Sequence, residues 1–364
     1  MDEFRCHRGK ATAWQRLWTS FGTTSLMTSC SATMTRLPVV FTSSQARSAG
    51  IGRSALGHRV RKGELIRLRT DAYCRREWWD RVAVSSRLRH VLELRAAWLT
   101  VQYEVWASHC SAALVHGLYI PHRERPPVTV TALPYAGRRG RHGNLWIREA
   151  QVPPAHRTRD WGIGLVTPAR AALDIAREHG FRAGLAAADS ALHLGCSTPA
   201  ELREVAEFMT GWPGGVAVAK VAAHASGLRE SAFESDSFGT FVDHDIELPQ
   251  CNVWLDERTR TDVLWRRHRL AGEADGKIKY VQPWQPPETV LWSEKLRQER
   301  IENLGFVVVR WTAAELHRSP EVVLDRIGRR SRYAHALYDV PLLHIRPRPG
   351  GRPGLAPSAQ PQMP

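Results

Sequence analysis

Apolar and polar positions along the chain fall into blocks with different periods. In the first block, Thr42 and Ser44 cap a short helix over 43–49 that Gly50 closes, and Ser54 caps a second over 55–62 that Gly63 closes. Leu65-Ile66-Arg67-Leu68-Arg69, a Thr70-Asp71 turn and Ala72-Tyr73 then alternate as a small hairpin. Two short helices followed by a hairpin outline a winged helix-turn-helix, here bounded at 38–86.

The second block, 87–228, reads as mainly helical. A long amphipathic helix is predicted over 91–101, and Ser108-His109-Cys110-Ser111-Ala112-Ala113 follows it. A strand at 128–131 and an Arg/Gly loop at 137–143 precede helices over 168–176, 181–193 and 199–209. The third block, 229–332, opens with a helix over 230–242 and continues with strands at 251–255, 261–265 and 269–274. An amphipathic helix over 288–303 leads into the run Phe306-Val307-Val308-Val309-Arg310-Trp311, whose near-continuous apolar character predicts a buried strand. Thr312 caps a final helix carrying Leu316, Val322, Val323 and Ile327. The order α-β-β-β-α-β-α predicts a mixed sheet, so the fold class is α/β overall and multi-domain. Residues 1–37 show no period and read as a disordered extension or a misassigned start, with Met34 just before the first organised segment. The Pro- and Gly-rich stretch 346–364 reads as a disordered tail.

Composition narrows the classes. The 364 residues are 43% hydrophobic, enough for packed cores. No run of 18 apolar residues is present, and Asp2 and Glu3 open a terminus without a compact apolar region, so neither a membrane helix nor a secretory signal is expected. Six scattered cysteines without a C-x-x-C pair argue against a disulfide framework or zinc ribbon and for the reducing cytosol. The net charge of +15 points to a polyanion, DNA before membrane. The competing explanation is a basic, solvated, Arg-rich surface.

Charge placement favours DNA. Residues 41–100 hold 13 basic and 5 acidic side chains, about half of the chain's excess in a sixth of its length. The second helix of the first block would present Arg53, Ser54, His58, Arg59 and Arg61 to the major groove, with Lys62 and Arg67 completing the DNA-binding set. A small helical adaptor with a basic face is the alternative. His109 and His116, seven apart, lack a third ligand and read as structural. The run Arg138-Arg139-Gly140-Arg141 is either a phosphate contact or a solvated loop.

Candidate chemistry gathers in the third block. Asp262 begins one strand, Glu273 and Asp275 share a face of the next, Lys277 follows Gly276, and Glu234 sits on the preceding helix. Converging carboxylates form a hard-oxygen site suited to Mg²⁺ or Mn²⁺, which polarises a phosphodiester and activates water. The chain has six lysines among 51 basic residues, and Lys277, Lys279 and Lys295 lie beside this acidic group. Lysine is a compact point charge, unlike arginine. The alternative is a plain exposed turn at Asp275-Gly276-Lys277.

Two resemblances bear on these readings. The segments Glu234-Ser235, Thr261-Asp262-Val263-Leu264-Trp265, 272–280, 292–297 and Val309-Arg310-Trp311-Thr312 together resemble an actinobacterial domain related to very-short-patch-repair endonucleases of the PD-(D/E)xK superfamily. The likeness covers about 100 residues in matching order and spacing. It implies metal ligands at Asp262, Glu273 and Asp275, a helix carboxylate at Glu234 and a catalytic lysine at Lys277 or Lys279. The sequence departs from the superfamily pattern at 275, where Asp stands in place of Lys, and carries no His shortly after Gly276. Upstream, residues 44–73, Ser108-His109-Cys110-Ser111-Ala112-Ala113-Leu114 with His116-Gly117, and Thr167-Pro168-Ala169-Arg170-Ala171-Ala172-Leu173-Asp174 resemble AbiEi-like type IV antitoxins. Three functions follow as expectations. One is a DNA-binding protein with a Mg-dependent endonuclease-like domain. Another is a non-catalytic antitoxin-type transcriptional regulator with a nucleotidyltransferase-type toxin as partner. The third is a protein-binding antitoxin.

Overall fold

The computed structural model describes residues 37–121, 126–134, 137, 139–275 and 287–345. The extension expected before Leu37, the tail at 346–364, Arg138, Lys277 and Lys279 lie outside the described residues. The chain is a mixed α/β protein with three sheets and forms two compact units, 1–235 and 236–364. No helix among the described residues is long and apolar enough to cross a membrane.

The first unit begins with β1 (Val40–Thr42), α1 (Ser43–Ser48), α2 (Arg53–Arg61), β2 (Leu65–Arg69), β3 (Ala72–Arg75) and α3 (Arg76–Arg81). The two short helices and the hairpin form close to where they are predicted, but Ser54 does not cap α2, which begins at Arg53 after Gly52 with no side-chain cap. Thr42 closes a reciprocal capping box with Gln45 at the start of α1. Asp71, at the hairpin turn, accepts hydrogen bonds from the Ser43 backbone N–H at 3.1 Å and from the Ser43 hydroxyl, tying the turn to α1. The sequence pattern missed β1, which is only three residues long and pairs antiparallel with β3 to give the order β1-β3-β2. Strand alternation sends Phe41 into one cluster with Ala46, Ile51, Leu56 and Leu65, and Val40 into another with Ala72, Cys74, Leu92 and Ala96. The small sheet is therefore covered on one face by α1 and α2 and on the other by α4 (Ser86–Thr100).

The middle region carries, besides its helices, a sheet of which the sequence pattern predicted one strand. Residues 105–166 build a six-stranded mixed sheet in the order β6-β7-β5-β4-β9-β8. Its strands are β4 (Val105–Ala107), β5 (Val128–Ala132), β6 (Gly140–His142), β7 (Leu145–Glu149), β8 (Arg157–Asp160) and β9 (Ile163–Val166), with α5 (His109–His116) inserted after β4. Most are too short or too polar to register as periodic: β6 is Gly-Arg-His and β8 is Arg-Thr-Arg-Asp, each at an edge of the sheet. Helices α6 (Pro168–His179), α7 (Phe181–His193), α8 (Pro199–Phe208) and α9 (Gly215–His224) complete this unit. Gly184 lets α7 approach α6 closely, since a Cβ there would lie 2.3 Å from that of Ala176.

The Ser108–Ser111 motif is structural. Ser111 Oγ accepts from the Thr129 backbone N–H at 2.8 Å and lies 2.9 Å from His90 Nε2, while Thr131 donates to Ser108 Oγ at 2.8 Å. These bonds satisfy polar groups where α4 and α5 meet β5, all of them buried. His116 donates to the Val166 carbonyl at 2.8 Å, and His109 Nδ1 lies 2.9 Å from Ser108 Oγ.

The second unit takes α10 (Ala232–Asp243), within which the division falls, then β10 (Gln250–Trp254), β11 (Arg260–Trp265), β12 (Leu270–Asp275), α11 (Pro287–Asn303), β13 (Val307–Thr312), α12 (Ala313–Arg318) and α13 (Pro320–Tyr338). The sheet order is β10-β11-β12-β13, antiparallel except for the β12–β13 pair. Leu264, Ala271, Ile301, Phe306 and Val308 fill one face, while Trp311 meets Phe241 on the other, with ring centroids 5.7 Å apart. The single final helix expected after Thr312 is two, broken at Ser319-Pro320, because proline lacks the N–H that would continue the first. The unit extends past the expected boundary at 332, since Ile345 returns to bridge Ile246.

Burial holds His90 neutral and lowers its pKa to about 4. A base whose folded pKa lies below its unfolded value stabilises above the unfolded value, near 6.5, and loses that contribution as pH falls toward 4. Unfolding free energy measured by urea titration should drop between pH 6.5 and 4, with His90 contributing up to about 3 kcal/mol of the loss. His90→Gln should flatten that part of the profile, and an unchanged profile would contradict the assignment.

Candidate functional site

Two places in the fold carry the residues singled out by sequence. The first is the outer face of α2. Leu56 is buried and Val60 packs beside it against Phe41 and Ile51, so positions four apart anchor the helix inward. That leaves Arg53, Ser54, His58, Arg61 and Lys62 exposed, with Arg67 exposed on β2. Arg59 is the exception. It is half-buried and paired with Glu64 at 2.8 Å, which fixes the helix to the start of the hairpin. Beyond the expected set, Trp78 on α3 has the guanidinium groups of Arg75 and Arg81 over its ring at 5.5 and 4.6 Å, and Trp79 has that of Arg89 at 5.1 Å.

The second place is the end of β11 and β12. The register Val263↔Gly272 sets Asp262 and Glu273 next along adjacent strands, and the parallel register places Glu273 beside Arg310 and Asp275 beside Thr312. Glu273 is 1% exposed. Its carboxylate is gripped by Arg297 from α11, with contacts of 2.5 Å to Oε2 and 2.9 Å to Oε1, and the same guanidinium donates to the Arg260 carbonyl at 2.9 Å. Asp262 Oδ2 accepts the Ala274 backbone N–H at 2.8 Å. Burial pushes the Glu273 carboxyl up to about 7 against the pull of Arg297, and the neighbouring Asp262 charge adds to the rise.

This donor set does not fit a divalent cation as it stands. Both oxygens of Glu273 are held by a guanidinium, and one of Asp262 by a main-chain amide. Among the described residues no group of three His, Cys, Asp or Glu side chains is arranged to hold a metal ion. Glu234 serves the start of α10, accepting from the Glu230 backbone N–H at 3.0 Å and the Ser231 hydroxyl at 2.7 Å. Lys295 is exposed, its ammonium 5.6 Å from the Trp292 ring. Sequence reasoning gave Arg297 no role. It lies 24 residues from Glu273, and no local spacing signals a contact between a helix and a strand that distant.

A mixed α/β protein whose N-terminal module exposes a cationic helix, followed by a larger sheet and a separate carboxylate-bearing unit, is the class these observations define. A family model described as transcriptional regulator, AbiEi antitoxin, matches residues 36–76, the segment from just before β1 to the start of α3. Two curated Mycobacterium tuberculosis proteins are similar to the chain: uncharacterized protein Rv2248 of strain H37Rv and uncharacterized protein MT2308 of strain CDC 1551. Each is 27% identical over 166 residues, which is 44% of this chain and 59% of the relative. The chain thus spans about three-fifths of the length of the curated relatives it matches.

The Arg297–Glu273 pair makes a pH-dependent prediction. An acid whose folded pKa is raised stabilises below its unfolded value, near 4.5, and that contribution is lost as pH rises through about 7. Above pH 7 the buried carboxylate needs Arg297. Arg297→Met should therefore cost on the order of 3 kcal/mol at pH 8, below the ceiling for a fully buried pair because the arginine is partly exposed. At pH 5 the loss should be slight. An equal loss at both pH values, read by chemical denaturation, would contradict the pairing.

Proposed function

We propose that the chain is a DNA-binding transcriptional regulator of the antitoxin type, in which residues 38–86 act as a winged helix-turn-helix and α2 enters the major groove. The observation that carries this reading is the division of α2 into an inward face of Leu56 and Val60 and an outward face of Arg53, Ser54, His58, Arg61 and Lys62. A recognition helix needs that division, because the inner face fixes its angle while the outer one meets base edges and phosphates. The match of residues 36–76 to a family described as antitoxin regulators supports the same reading. A cytosolic location and a nucleotidyltransferase-type toxin as protein partner go with it. The test is binding of a labelled duplex of about 30 base pairs across a salt series. The triple variant Arg53→Ala, Arg61→Ala, Lys62→Ala should lower the slope of log K against log salt by about 2 to 3, roughly one for each phosphate that the helix no longer neutralises. An unchanged slope and affinity would remove the α2 assignment.

A second reading gives the 236–345 unit a phosphodiesterase role, favoured by its β10-β11-β12-β13 order and by the adjacency of Asp262 and Glu273. In that reading Asp275, Lys277 and Lys279 complete the site and Mg²⁺ or Mn²⁺ is the cofactor, and Arg297 must first leave Glu273. Incubation of supercoiled plasmid with Mn²⁺ decides it. Cleavage that is abolished in Asp262→Asn would support hydrolysis, and intact plasmid leaves the regulator reading alone.

A further inference from the structure

We propose that the β6–β7 hairpin of the first unit carries an oxyanion site that receives a backbone phosphate of DNA, an assignment of source that rests on the DNA-binding reading above. A hollow of about 210 Å³ lies on this hairpin, lined by Arg139, Gly140, Arg141, Trp146, Ile147 and Arg148. Three of the six lining residues are arginines and none is acidic. The strand β6 is the outer edge of the six-stranded sheet and is exposed at every residue, so a bulky polymer has access to it.

The side chains around the hollow are organised around Trp146. The Arg141 and Arg148 guanidinium groups lie 5.9 and 4.8 Å from its ring centroid. Arg148 is held at a terminal nitrogen by Glu178. Two donors in this cluster, Trp146 Nε1 and Arg148 Nε, are shielded from water and make no hydrogen bond. Buried donors without acceptors are costly, and an arriving oxyanion would satisfy them. Arg141 covers the indole by stacking and by one bond to the Gly143 carbonyl at 3.1 Å, and it is exposed, so it can swing to meet a ligand.

The chemistry selects a phosphate. Guanidinium forks and N–H groups converge with no acceptor among the lining side chains, which suits a group offering only acceptor oxygens. An open ribbon with Gly140 at its edge, where an added Cβ would meet nothing within 4 Å, admits the backbone of a nucleic acid strand. A lone phosphate on such an open surface would be held by few bonds. A phosphate delivered by a duplex already bound through α2 gains the high effective concentration of a second contact on one ligand. β-ribbons are known to reach nucleic acid in this way.

The test uses the full chain, a labelled duplex of about 30 base pairs and a salt series, with thermal melting to confirm that each variant folds. Arg139→Ala with Arg141→Ala should lower the slope of log K against log salt by about 2 and weaken binding roughly tenfold or more at moderate salt, and the effect should add to that of the α2 triple variant. Arg139→Lys with Arg141→Lys should restore most of the slope, because the charges return. A slope unchanged in the double alanine variant, while the α2 variant lowers it, would overturn the hairpin site and leave the α2 assignment intact. Inorganic phosphate supplies the other arm. If millimolar phosphate raises the melting temperature of the native chain and not of the double alanine variant, while duplex binding ignores the hairpin, the source is free phosphate and the DNA assignment falls. If the native chain does not bind the duplex at all, both the DNA source and the regulator reading fail together.

Discussion

A carboxylate removed from water must be neutralised, and in this chain arginine does so at three deeply buried sites. Asp174 on α6 is paired with Arg170 four residues earlier at 3.2 Å, both being about 1% exposed. Asp189 on α7 is gripped by Arg229 through contacts of 2.5 and 2.8 Å, and it also accepts the Ser226 backbone N–H at 2.7 Å. Glu273 on β12 is held by Arg297. At Asp189 and Glu273 a planar, permanently charged fork meets a planar carboxylate through two nitrogens, the geometry in which bidentate hydrogen bonding recovers most of the desolvation cost, while Arg170 reaches both oxygens of Asp174 through Nε alone. The interior of each unit is organised around such a pair. Arg170 also reaches the Gln151 carbonyl at 3.1 Å and packs its guanidinium 5.0 Å from the Trp212 ring, and Arg297 ties α11 to the Arg260 carbonyl of β11. Removing the arginine from any of these pairs would strand a carboxylate in a medium that cannot solvate it.

This constraint changes the meaning of the arginine-rich composition. Of the 51 basic residues, those in buried pairs cancel an acidic partner and add nothing to the net charge of +15. Among the described residues, exposed basic side chains without a buried acidic partner lie on α2, on β2 and on the β6–β7 hairpin. The same constraint bears on the carboxylates that the sequence singles out as candidate metal ligands. Asp262 and Glu273 are adjacent as the strand register requires, but the cation beside Glu273 is part of the chain. A metal ion would have to displace a guanidinium already hydrogen-bonded at three points.

What can be read from the sequence follows the length and regularity of each element. The strands and helices of residues 236–345 are legible because β11, β12 and β13 have six residues each and lie between strong turn, cap and proline signals. The paired helices and hairpin of the N-terminal module are legible from the Thr42 cap, the closing glycines and a two-residue turn, although the Ser54 cap does not form. The six-stranded sheet is not. Its strand β4 has three residues, and its edges β6 and β8 are built from Arg, Gly, His, Thr and Asp. Only the Val-Thr-Val-Thr run of β5 gave a β-branched signal strong enough to predict a strand there. Within the carboxylate site, the proximity of Asp262 and Glu273 follows from a short antiparallel connection and can be deduced. The Arg297 contact depends on how α11 packs on the sheet, which periodicity does not encode. Glu234, by contrast, is legible as a helix carboxylate, and its position three residues after Ser231 explains its use at the start of α10.

Tryptophan completes the account of the surface charge. The chain has 14 of them, and several hold arginine planes against their rings: Trp78 with Arg75 and Arg81, Trp146 with Arg141 and Arg148, Trp106 with Arg157 at 4.2 Å. A salt bridge orders an arginine by cancelling its charge. An aromatic face orders it and leaves the charge in place, as for Arg81 and Arg141, whereas Arg75, Arg148 and Arg157 also meet a carboxylate. A long side chain that must be immobilised on binding loses on the order of 1 kcal/mol of rotamer freedom, and stacking removes much of that loss in advance. The combination of buried Arg–carboxylate pairs inside and Arg–Trp stacks outside therefore yields a neutralised interior and a pre-ordered cationic exterior. That is the physical requirement for a surface that meets a polyanion, and among the described residues the N-terminal module and the edge hairpin meet it, whereas the strand ends that carry Asp262 and Glu273 present carboxylates.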